Sequence, residues 1–492
     1  MAELTILRGG ERLVHTFQPP RPLSDVLAES GFDMPRPCGG RGVCGKCTVG
    51  LTGRVSPPNA AEQKAGTRLA CQALLLGDAE VTLPEARAME QIETGGAQAL
   101  RRGRPMAGAY GAAVDIGTTT VALKLFDLAS GACLGEAGML NPQTAVAADV
   151  MGRIGAAVGG SLGKLRAQIA GAIQALLSEA CAGAGLAEDA VESLVVTGNT
   201  TMLYLFTGRN PEALSHAPFE ADCLFDETLS AGQRSIYLPR CMHAFVGADI
   251  TCAVLSAGQC DSAETSLLCD VGTNGELALW KDGALRVTST AAGPAFEGAG
   301  ISCGCGSVRG AIDRAWAEDG EIKIHTIGGA PAVGVCGSGL IDAVAAALSL
   351  GLVDETGAMD DDELPLAEGV CLLPRDIRAV QLAKAAIAAG IETLLEEAGV
   401  AEDDVKTLYI AGGFGSHLNV DSAATIGLFP ASLADRVKVL GNAALAGAAG
   451  LLLDRGLQEK TRAIAALASH VNLGGNPKFN EHYMDQMFFP EE

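Results

Sequence analysis

Two stretches of the sequence combine an acidic residue, a glycine and threonines in the way that phosphate-binding turns do. D-I-G-T-T-T begins at Asp115, and D-V-G-T-N-G-E begins 155 residues later at Asp270. A glycine lets backbone N–H groups approach a phosphate, a threonine hydroxyl adds a donor, and the acid can hold Mg²⁺ or position an attacking water. Two strand–turn–strand units of a core would look alike, but the repetition in register favours a phosphate site. The pattern predicts catalytic Asp115 and Asp270, and binding groups on Gly117, Thr118, Thr119, Gly272, Thr273 and Asn274.

A glycine-rich stretch and a buried strand follow the second turn and extend the candidate site. Residues 293–307 read G-P-A-F-E-G-A-G-I-S-C-G-C-G-S, and Glu297 is the acid that we expect in the catalytic cleft. Residues 408–413 read L-Y-I-A-G-G, which is typical of a buried strand that ends in a turn. Gly412 and Gly413 would let a purine ring lie on the backbone.

Two shorter motifs leave alternatives open. G-N-T-T, which starts at Gly198, is either a polar turn that faces the cleft or a helix start capped by Asn199. Cys303 and Cys305 form a C-x-C pair that would suit metal binding or redox chemistry. Two buried thiols that act as small hydrophobic groups are the interpretation we favour for that pair.

Four cysteines near the N-terminus have the spacing of an iron–sulfur ligand set. Five residues separate the first two, two separate the next two, and twenty-three precede the last. Four thiolates can hold a 2Fe–2S cluster, and glycines between them let the loop wrap it. A Cys₄ zinc site is the alternative, but zinc sites usually pair two C-x₂-C knuckles and this segment has one. We therefore predict a 2Fe–2S cluster ligated by Cys38, Cys44, Cys47 and Cys71.

The elements that must position these motifs fall into two domains. Residues 3–18 read as a hairpin, and Asn59 with Glu62 opens a short helix within the cysteine-bearing segment. Periodicity then weakens over a stretch with paired glycines, a basic run and a proline. We predict a 2Fe–2S ferredoxin domain at 1–84, a flexible linker at 85–109 and a large domain at 110–492.

Composition restricts the class of protein further. The chain has 492 residues, of which 63 are glycine, and a net charge of −23 at pH 7. A chain this acidic would be repelled by a phosphate backbone, so we expect no nucleic-acid partner. The first residues do not resemble a signal peptide, and no apolar run is long enough to span a bilayer. We expect a soluble, cytoplasmic protein with no membrane partner.

Two family resemblances follow from these motifs. The cysteine loop resembles that of plant-type and adrenodoxin-type ferredoxins, which have a β-grasp fold. The order D-x-G-T, D-x-G-T, A-G-G resembles the phosphate-1, phosphate-2 and adenosine elements of the acetate and sugar kinase, Hsp70 and actin superfamily. This resemblance covers nearly all of 110–492 and implies two lobes that close on ATP and Mg²⁺. The implied fold class is α+β and α/β: a β-grasp ferredoxin domain, a linker, and two ribonuclease-H-like lobes of the actin-like ATPase fold.

A ferredoxin joined to such an ATPase resembles the reductive activators of corrinoid proteins. G-N-T-T-M, G-P-A-F-E-G-A, C-G-S-G-L-I-D and A-G-G-F-G-S-H also resemble that family in wording and order. The resemblance implies an ATP-hydrolysing electron-transfer activase that returns Co(II) to Co(I). Its partners would be a corrinoid protein of a methyltransferase system and an external electron donor. The sequence names neither partner and does not indicate the oligomeric state.

Three other functions stay open. Activators of 2-hydroxyacyl-CoA dehydratases belong to the same superfamily but use a 4Fe–4S cluster shared by two subunits, which the N-terminal 2Fe–2S loop argues against. A ferredoxin-fused small-molecule kinase would transfer phosphate to an added substrate. A non-enzymatic docking module would have no need of Asp115, Asp270 and the threonines that follow them.

Overall fold

The structure is a computed structural model that describes residues 1–32, 34, 40, 42, 46–84, 103–413 and 417–491. The described chain divides into two compact units. One contains residues up to 84 together with 142–161, and the other contains 103–141 and 162–491. Within these ranges, no helix is both long and apolar enough to cross a membrane.

The N-terminal unit is built on a six-stranded sheet. Its strands are β1 (Ala2–Arg8), β2 (Glu11–Phe17), β3 (Arg21–Pro22), β4 (Thr48–Val55), β5 (Arg68–Leu69) and β6 (Leu74–Thr82). Its helices are α1 (Leu23–Glu29), α2 (Ala60–Ala65) and α3 (Val150–Ala156). The strand order is β2-β1-β6-β4-β5, with β3 paired to β6, and β1 and β6 run parallel at the centre. This is the predicted β-grasp arrangement.

Simple sequence patterns account for this unit. Side chains of β6 alternate between buried and exposed, so one face of the strand packs on the core with Leu4, Val26 and Leu27. The predicted hairpin forms as β1 and β2. Asn59 caps α2 through a reciprocal pair of hydrogen bonds with Glu62, as its sequence predicts.

The large unit begins with a six-stranded sheet. Its strands are β7 (Tyr110–Ile116), β8 (Thr120–Asp127), β9 (Cys133–Leu140), β10 (Val191–Gly198), β11 (Glu227–Ala231) and β12 (Arg234–Leu238). The helices of this part are α4 (Leu162–Ala184), α5 (Thr200–Thr207) and α6 (Ala248–Ala257). The strand order is β11-β12-β10-β7-β8-β9. β7, β8 and β9 form an antiparallel meander, and β10 pairs in parallel with both β7 and β12.

A second large sheet follows in the same unit. Its first strands are β13 (Ser266–Val271), β14 (Gly275–Lys281) and β15 (Ala284–Thr290). The sheet is completed by β21 (Thr407–Ala411), β22 (Val437–Gly441) and β23 (Ala468–His470). Between them in the chain, a separate three-stranded sheet contains β16 (Ala311–Glu318), β17 (Glu321–Thr326) and β18 (Gly334–Val335), and a two-stranded sheet contains β19 (Leu364–Ala367) and β20 (Val370–Leu372). The helices are α7 (Gly337–Ser349), α8 (Pro374–Ala398), α9 (Val420–Thr425), α10 (Ala443–Leu453), α11 (Leu457–Leu467) and α12 (Pro477–Asp485). The strand order of the large sheet is β22-β21-β13-β14-β15-β23.

The two large sheets repeat one topology. Each has an antiparallel three-stranded meander, and a later strand pairs in parallel with the first strand of that meander. In each sheet the acid–glycine–threonine turn joins the first two strands of the meander. The predicted two-lobed fold is therefore confirmed. The boundaries of the linker at 85–109 stay a prediction, since 85–102 lies outside the described residues.

Helix α10 connects the two sheets. It packs against α6, β7 and β10, and apolar side chains of both sheets share one core cluster with it. The backbones of α10 and α6 approach closely at Gly447, where a Cβ atom would lie 2.1 Å from the carbonyl oxygen of Cys252. Only glycine fits at this contact. The packing places Asn442, the N-cap residue of α10, at the carboxyl end of β7.

Candidate functional site

The first turn, residues 117–119, follows Asp115 at the end of β7. A Cβ atom on Gly117 would lie 2.8 Å from the carbonyl oxygen of Thr120, so a larger residue does not fit without a shift. Asn141 fixes the turn from the end of β9: its Nδ2 donates to the Gly117 carbonyl at 2.8 Å, and its backbone N–H donates to the Thr119 carbonyl at 2.8 Å. Sequence reasoning did not identify Asn141.

The second turn, residues 272–274, has a comparable framework in the other sheet. The N–H of Gly272 donates to the carbonyl of Asn274 at 3.0 Å, which closes the turn between β13 and β14. The N–H of Gly293 donates to the carbonyl of Thr273 at 2.9 Å. The glycine-rich stretch predicted from 293 onward is thus attached directly to this turn.

The structure brings the two turns together on Glu297. The hydroxyls of Thr119 and Thr273 lie 3.3 Å apart, although 154 residues separate them in the chain. Both donate to Oε2 of Glu297, at 2.5 Å and 2.7 Å respectively. Three motifs that the sequence singled out independently therefore share one hydrogen-bond network.

Asn199 satisfies both alternatives for the G-N-T-T motif. Its side-chain oxygen accepts from the N–H of Met202 and so caps α5. Its Nδ2 donates to the hydroxyl of Thr118 at 3.1 Å, which links the helix start to the first turn.

Asp249 joins the site although sequence reasoning missed it. It lies in the first turn of α6, after Gly247, where a Cβ atom would lie only 2.5 Å from the Cα atom of Asn199. Burial and the carboxylates of Asp115 and Asp270 raise the pKa of Asp249 to about 8. The available signal was an acid within the otherwise apolar run A-F-V-G-A-D-I-T-C-A-V-L of residues 244–255.

Glu276 is a second acid that sequence reasoning missed. It lies directly opposite Asp270 in the register of β13 and β14, a placement that is destabilising for two like charges. Burial raises its pKa well above the ordinary value, and Asp249 and Asp270 add to the rise. The side chain of Asn274 hydrogen-bonds to Glu276 and acts in the opposite direction.

The two predicted aspartates are perturbed in the same direction. Burial raises the pKa of Asp115 to about 6, although a hydrogen bond from Nδ2 of Asn442 at 3.0 Å opposes the rise. Burial, Asp115 and Glu297 raise the pKa of Asp270 to about 7. Such shifts are typical of groups that bind a cation or exchange a proton with a substrate.

Gly412 and Gly413 end β21, the neighbour of β13. Gly412 has φ +119°, and a Cβ atom there would lie 2.3 Å from the carbonyl oxygen of Val271, so the position requires glycine. Among the described residues, apart from its chain neighbours, no atom lies within 4 Å of the place that a Cβ atom on Gly413 would take. The placement of a purine ring on Gly412 and Gly413 stays a prediction, since residues 414–416 lie outside the described chain.

Two of the four predicted cluster ligands can be placed. Cys47 is buried in the core of the N-terminal unit, and Cys71 is half-buried in a turn just after β5. Nε2 of Gln72 donates to the Gly40 carbonyl at 2.6 Å and lies 3.5 Å from Sγ of Cys71, so the cysteine loop meets this turn. The other predicted ligands, Cys38 and Cys44, lie outside the described residues.

The acid cluster predicts that the nucleotide-free protein loses stability as the pH rises from 6 to 8. The pKa values of Asp115, Asp270 and Asp249 are about 6, 7 and 8 in the folded protein, against 3.8 ordinarily. The folded protein therefore binds more protons than the unfolded chain does. For each group that is protonated only in the folded protein, the free energy of unfolding falls by at most about 1.4 kcal/mol per pH unit. In thermal unfolding experiments, the Tm of the wild type should fall as the pH rises from 6 to 8, and the Tm of Asp249→Asn should fall less steeply. If Tm fell equally steeply with pH in both proteins, Asp249 would not belong to this group of carboxyls.

A β-grasp domain that carries a cysteine loop, followed by two repeated lobes whose acid–glycine–threonine turns meet, defines a ferredoxin-fused ATPase. Three family models match the chain accordingly. Residues 9–76 match a 2Fe–2S iron–sulfur cluster binding domain, 110–261 match the RACo middle region, and 264–492 match the C-terminal domain of RACo, the ASKHA domain. The 2Fe–2S cofactor and nucleotide binding are confirmed at the level of these domains.

Similar proteins identify the family within this class of ferredoxin-fused ATPases. The corrinoid activation enzyme RamQ of Eubacterium limosum is 34% identical over 419 residues, which cover 77% of this chain and 70% of the relative. A Co(II) methylated-amine-specific corrinoid protein reductase of Methanosarcina barkeri is 29% identical over 343 residues, 61% of this chain and 63% of the relative. The solved structure of a reductive activator for corrinoid, iron–sulfur protein has a TM-score of 0.74 at 26% identity and covers 99% of both chains. The chain belongs to the RACo family of reductive activators of corrinoid proteins.

Proposed function

We propose that the protein couples ATP hydrolysis to electron transfer from its 2Fe–2S cluster to a corrinoid protein, whose cobalt it returns from Co(II) to Co(I). The observation that carries this proposal is the meeting of Thr119 and Thr273 on Glu297 in a chain that also has a ferredoxin domain. An ATP site built from two lobes changes shape when the lobes move. A tethered iron–sulfur domain supplies one electron for each transfer.

The nucleotide would bind between the two turns. The N–H groups and hydroxyls of residues 117–119 and 272–274 are the candidate phosphate donors, and Gly412 with Gly413 would lie under the adenine. Five carboxyl groups converge on this cleft, where burial and, to a lesser degree, their mutual repulsion raise the pKa of Asp249, Asp270 and Glu276. A divalent cation would relieve that repulsion. Asp115 and Asp270 are the candidate groups to hold Mg²⁺ or its waters.

Two acids would have different roles in hydrolysis. Asp270, with a pKa of about 7, is suited to accept a proton from the attacking water near neutral pH. Glu297 holds the hydroxyls of Thr119 and Thr273 in fixed directions and so links the two turns. Release of one hydroxyl to a phosphate oxygen would let the nucleotide alter that link.

The cluster would be held by Cys38, Cys44, Cys47 and Cys71. What supports this assignment in the described chain is the contact of Gln72 with both Gly40 and Cys71, which brings the loop to the fourth cysteine. Gly42 also fits closely, since a Cβ atom there would lie 2.9 Å from the Gln72 side chain and 3.0 Å from Cβ of Ala61. These contacts suit a loop that wraps a cluster and directs its amides inward.

The energetics explain why ATP is needed. The Co(II)/Co(I) couple is generally more reducing than cellular donors, and about 59 mV of uphill transfer costs about 1.4 kcal/mol for one electron. ATP can offset that cost only through conformations that differ in their affinity for the partner. We propose a corrinoid protein of a methyltransferase system as the partner and an external donor that re-reduces the cluster. A cytoplasmic location stays a prediction.

Full-length protein held at a fixed donor potential should reduce a Co(II) corrinoid protein at least about tenfold further with Mg–ATP than without it, since tenfold corresponds to a shift of about 59 mV. Growth of the Co(I) absorbance band measures the yield. A non-hydrolysable ATP analogue separates nucleotide binding from hydrolysis as the driving step. Equal yields with and without ATP would contradict the coupling, and phosphorylation of an added metabolite would identify a kinase.

A further inference from the structure

The tertiary structure brings Cys303 close to Cys371, which lies 68 residues later in the chain. Sγ of Cys303 is 3.9 Å from the carbonyl oxygen of Gly369, in the turn of the β19–β20 hairpin that carries Cys371. The thiol of Cys371 interacts with the Cys303 thiol and with the Glu363 carboxylate. The preference for two buried thiols at Cys303 and Cys305 was wrong, since both are half-buried, as is Cys371.

Cys303 is held in place by contacts on both sides. Its carbonyl accepts from the N–H of Val335 at 2.9 Å. The preceding residue, Ser302, donates to Oδ1 of Asp376 from its N–H at 2.9 Å and from its hydroxyl at 3.0 Å. Nε of Arg375 donates to the Ser302 hydroxyl at 3.0 Å. The thiol therefore faces the hairpin from a fixed backbone.

The same loop lies against the candidate catalytic cleft. Gly298 follows Glu297 directly, and a Cβ atom on it would be 2.4 Å from the carbonyl oxygen of Cys305. A Cβ atom on Gly304 would be 2.2 Å from the carbonyl oxygen of Gly298. Because these backbones are in direct contact, a restraint placed on Cys303 is transmitted to Glu297.

We propose that Cys303 and Cys371 form a reversible disulfide that restrains the loop at 298–307 and slows ATP turnover under oxidising conditions. The oxidant is a low-molecular-weight disulfide. The effect on ATP turnover rests on the proposed function, whereas formation of the bond does not.

The chemistry is two successive thiol–disulfide exchanges. The Cys303 thiolate attacks one sulfur of the small disulfide, which forms a mixed disulfide and releases one small thiolate. The Cys371 sulfur then attacks Sγ of Cys303, which forms the protein disulfide and releases the second small thiolate. Two electrons pass to the small disulfide, and the two protons of the protein thiols convert its halves into two thiols.

The surroundings assign different roles to the two sulfurs. Burial, the Glu363 carboxylate and the neighbouring Cys303 raise the pKa of Cys371 to about 11, so this thiol stays protonated near neutral pH. Cys371 is therefore the resolving thiol, and the first attack belongs to Cys303. Small thiols stay reduced where low-potential electrons are available. When those thiols become oxidised, the bond would limit ATP use.

The test uses intact, cluster-loaded protein treated anaerobically with glutathione disulfide, then alkylated and digested with trypsin. We expect a bridge between the peptides 287–309 and 324–375, assigned by fragment ions to Cys303 and Cys371. ATP hydrolysis should fall several-fold and return after treatment with dithiothreitol. Cys371→Ser should lose both the bridge and the inhibition, while Cys305→Ser, the matched control, should keep both.

Other products would overturn the proposal. A bridge between Cys303 and Cys305, mixed glutathione disulfides alone, or unchanged thiols would each contradict the Cys303–Cys371 bond. A bond that formed without slowing ATP hydrolysis would refute the restraint on the loop. The bond is detected by mass spectrometry, so this test does not depend on ATP hydrolysis. If the untreated protein hydrolysed no ATP, that result would contradict the proposed function and not the bond.

Discussion

Replacing Asp270 with asparagine is expected to lower the rate of ATP hydrolysis by about 10²-fold or more. The change keeps the size of the side chain but removes a carboxylate that lies opposite Glu276 and near Asp115 and Glu297. Under the proposed function, the site then loses a candidate group for holding Mg²⁺ and for accepting a proton from water. Steady-state hydrolysis of Mg–ATP measures the rate, and the visible spectrum of the cluster should stay unchanged.

A matched control lies on the same meander. Asp282 is in the turn between β14 and β15 with φ 51°, a backbone conformation that asparagine tolerates well. Asp282→Asn should hydrolyse ATP at the wild-type rate. Normal hydrolysis by Asp270→Asn would mean that the second turn does not face the γ-phosphate. A Tm of Asp270→Asn at pH 8 that is no lower than that of the wild type would show that lost activity does not come from unfolding.

Replacing Cys71 with serine is expected to remove the 2Fe–2S cluster and to abolish Co(I) formation, while ATP hydrolysis continues. Cys71 is half-buried in a turn that Gln72 ties to the cysteine loop, and a serine hydroxyl is a poor substitute for a thiolate ligand to iron. Wild-type protein should contain about two iron and two sulfide per chain and give an EPR signal on reduction. Metal analysis, EPR and the Co(I) band measure the three properties.

Cysteines elsewhere in the chain supply the controls for the cluster. Cys133 is exposed in the first large sheet, and Cys133→Ser should leave iron content and corrinoid reduction unchanged. Cys303→Ser and Cys305→Ser should also keep the cluster. Zinc in anaerobically purified wild-type protein, with no visible absorbance, would show that the four cysteines hold a zinc ion.

Much of the fold followed from local patterns. The acid, glycine and threonines of each turn lie within six consecutive residues, so their chemistry can be read from the sequence before the strands around them are known. The capped helix at Asn59 and the hairpin at the N-terminus are also local, because every contact that specifies them joins residues close in the chain. The order of the D-x-G-T and A-G-G motifs resembles that of a superfamily whose members have two lobes, and the sheet topology confirmed the two lobes.

Other parts of the site depend on packing that no local pattern encodes. Asp249 and Asn442 reach Asp115 or Asp270 only because α6 and α10 come together around β7 and β13. The close approach of α6 and α10 at Gly447 is one cause, and it joins segments far apart in the chain.

By itself, the sequence determined which residue types are present and which short turns they form. The tertiary structure alone decided that Thr119 and Thr273 share Glu297 and that Cys303 faces Cys371. It also decided the raised pKa values of the carboxyls, since a pKa depends on burial and on the charges nearby. The most distant of these contacts, such as that of Thr119 with Glu297, join residues more than a hundred positions apart, which become neighbours only when both sheets have formed.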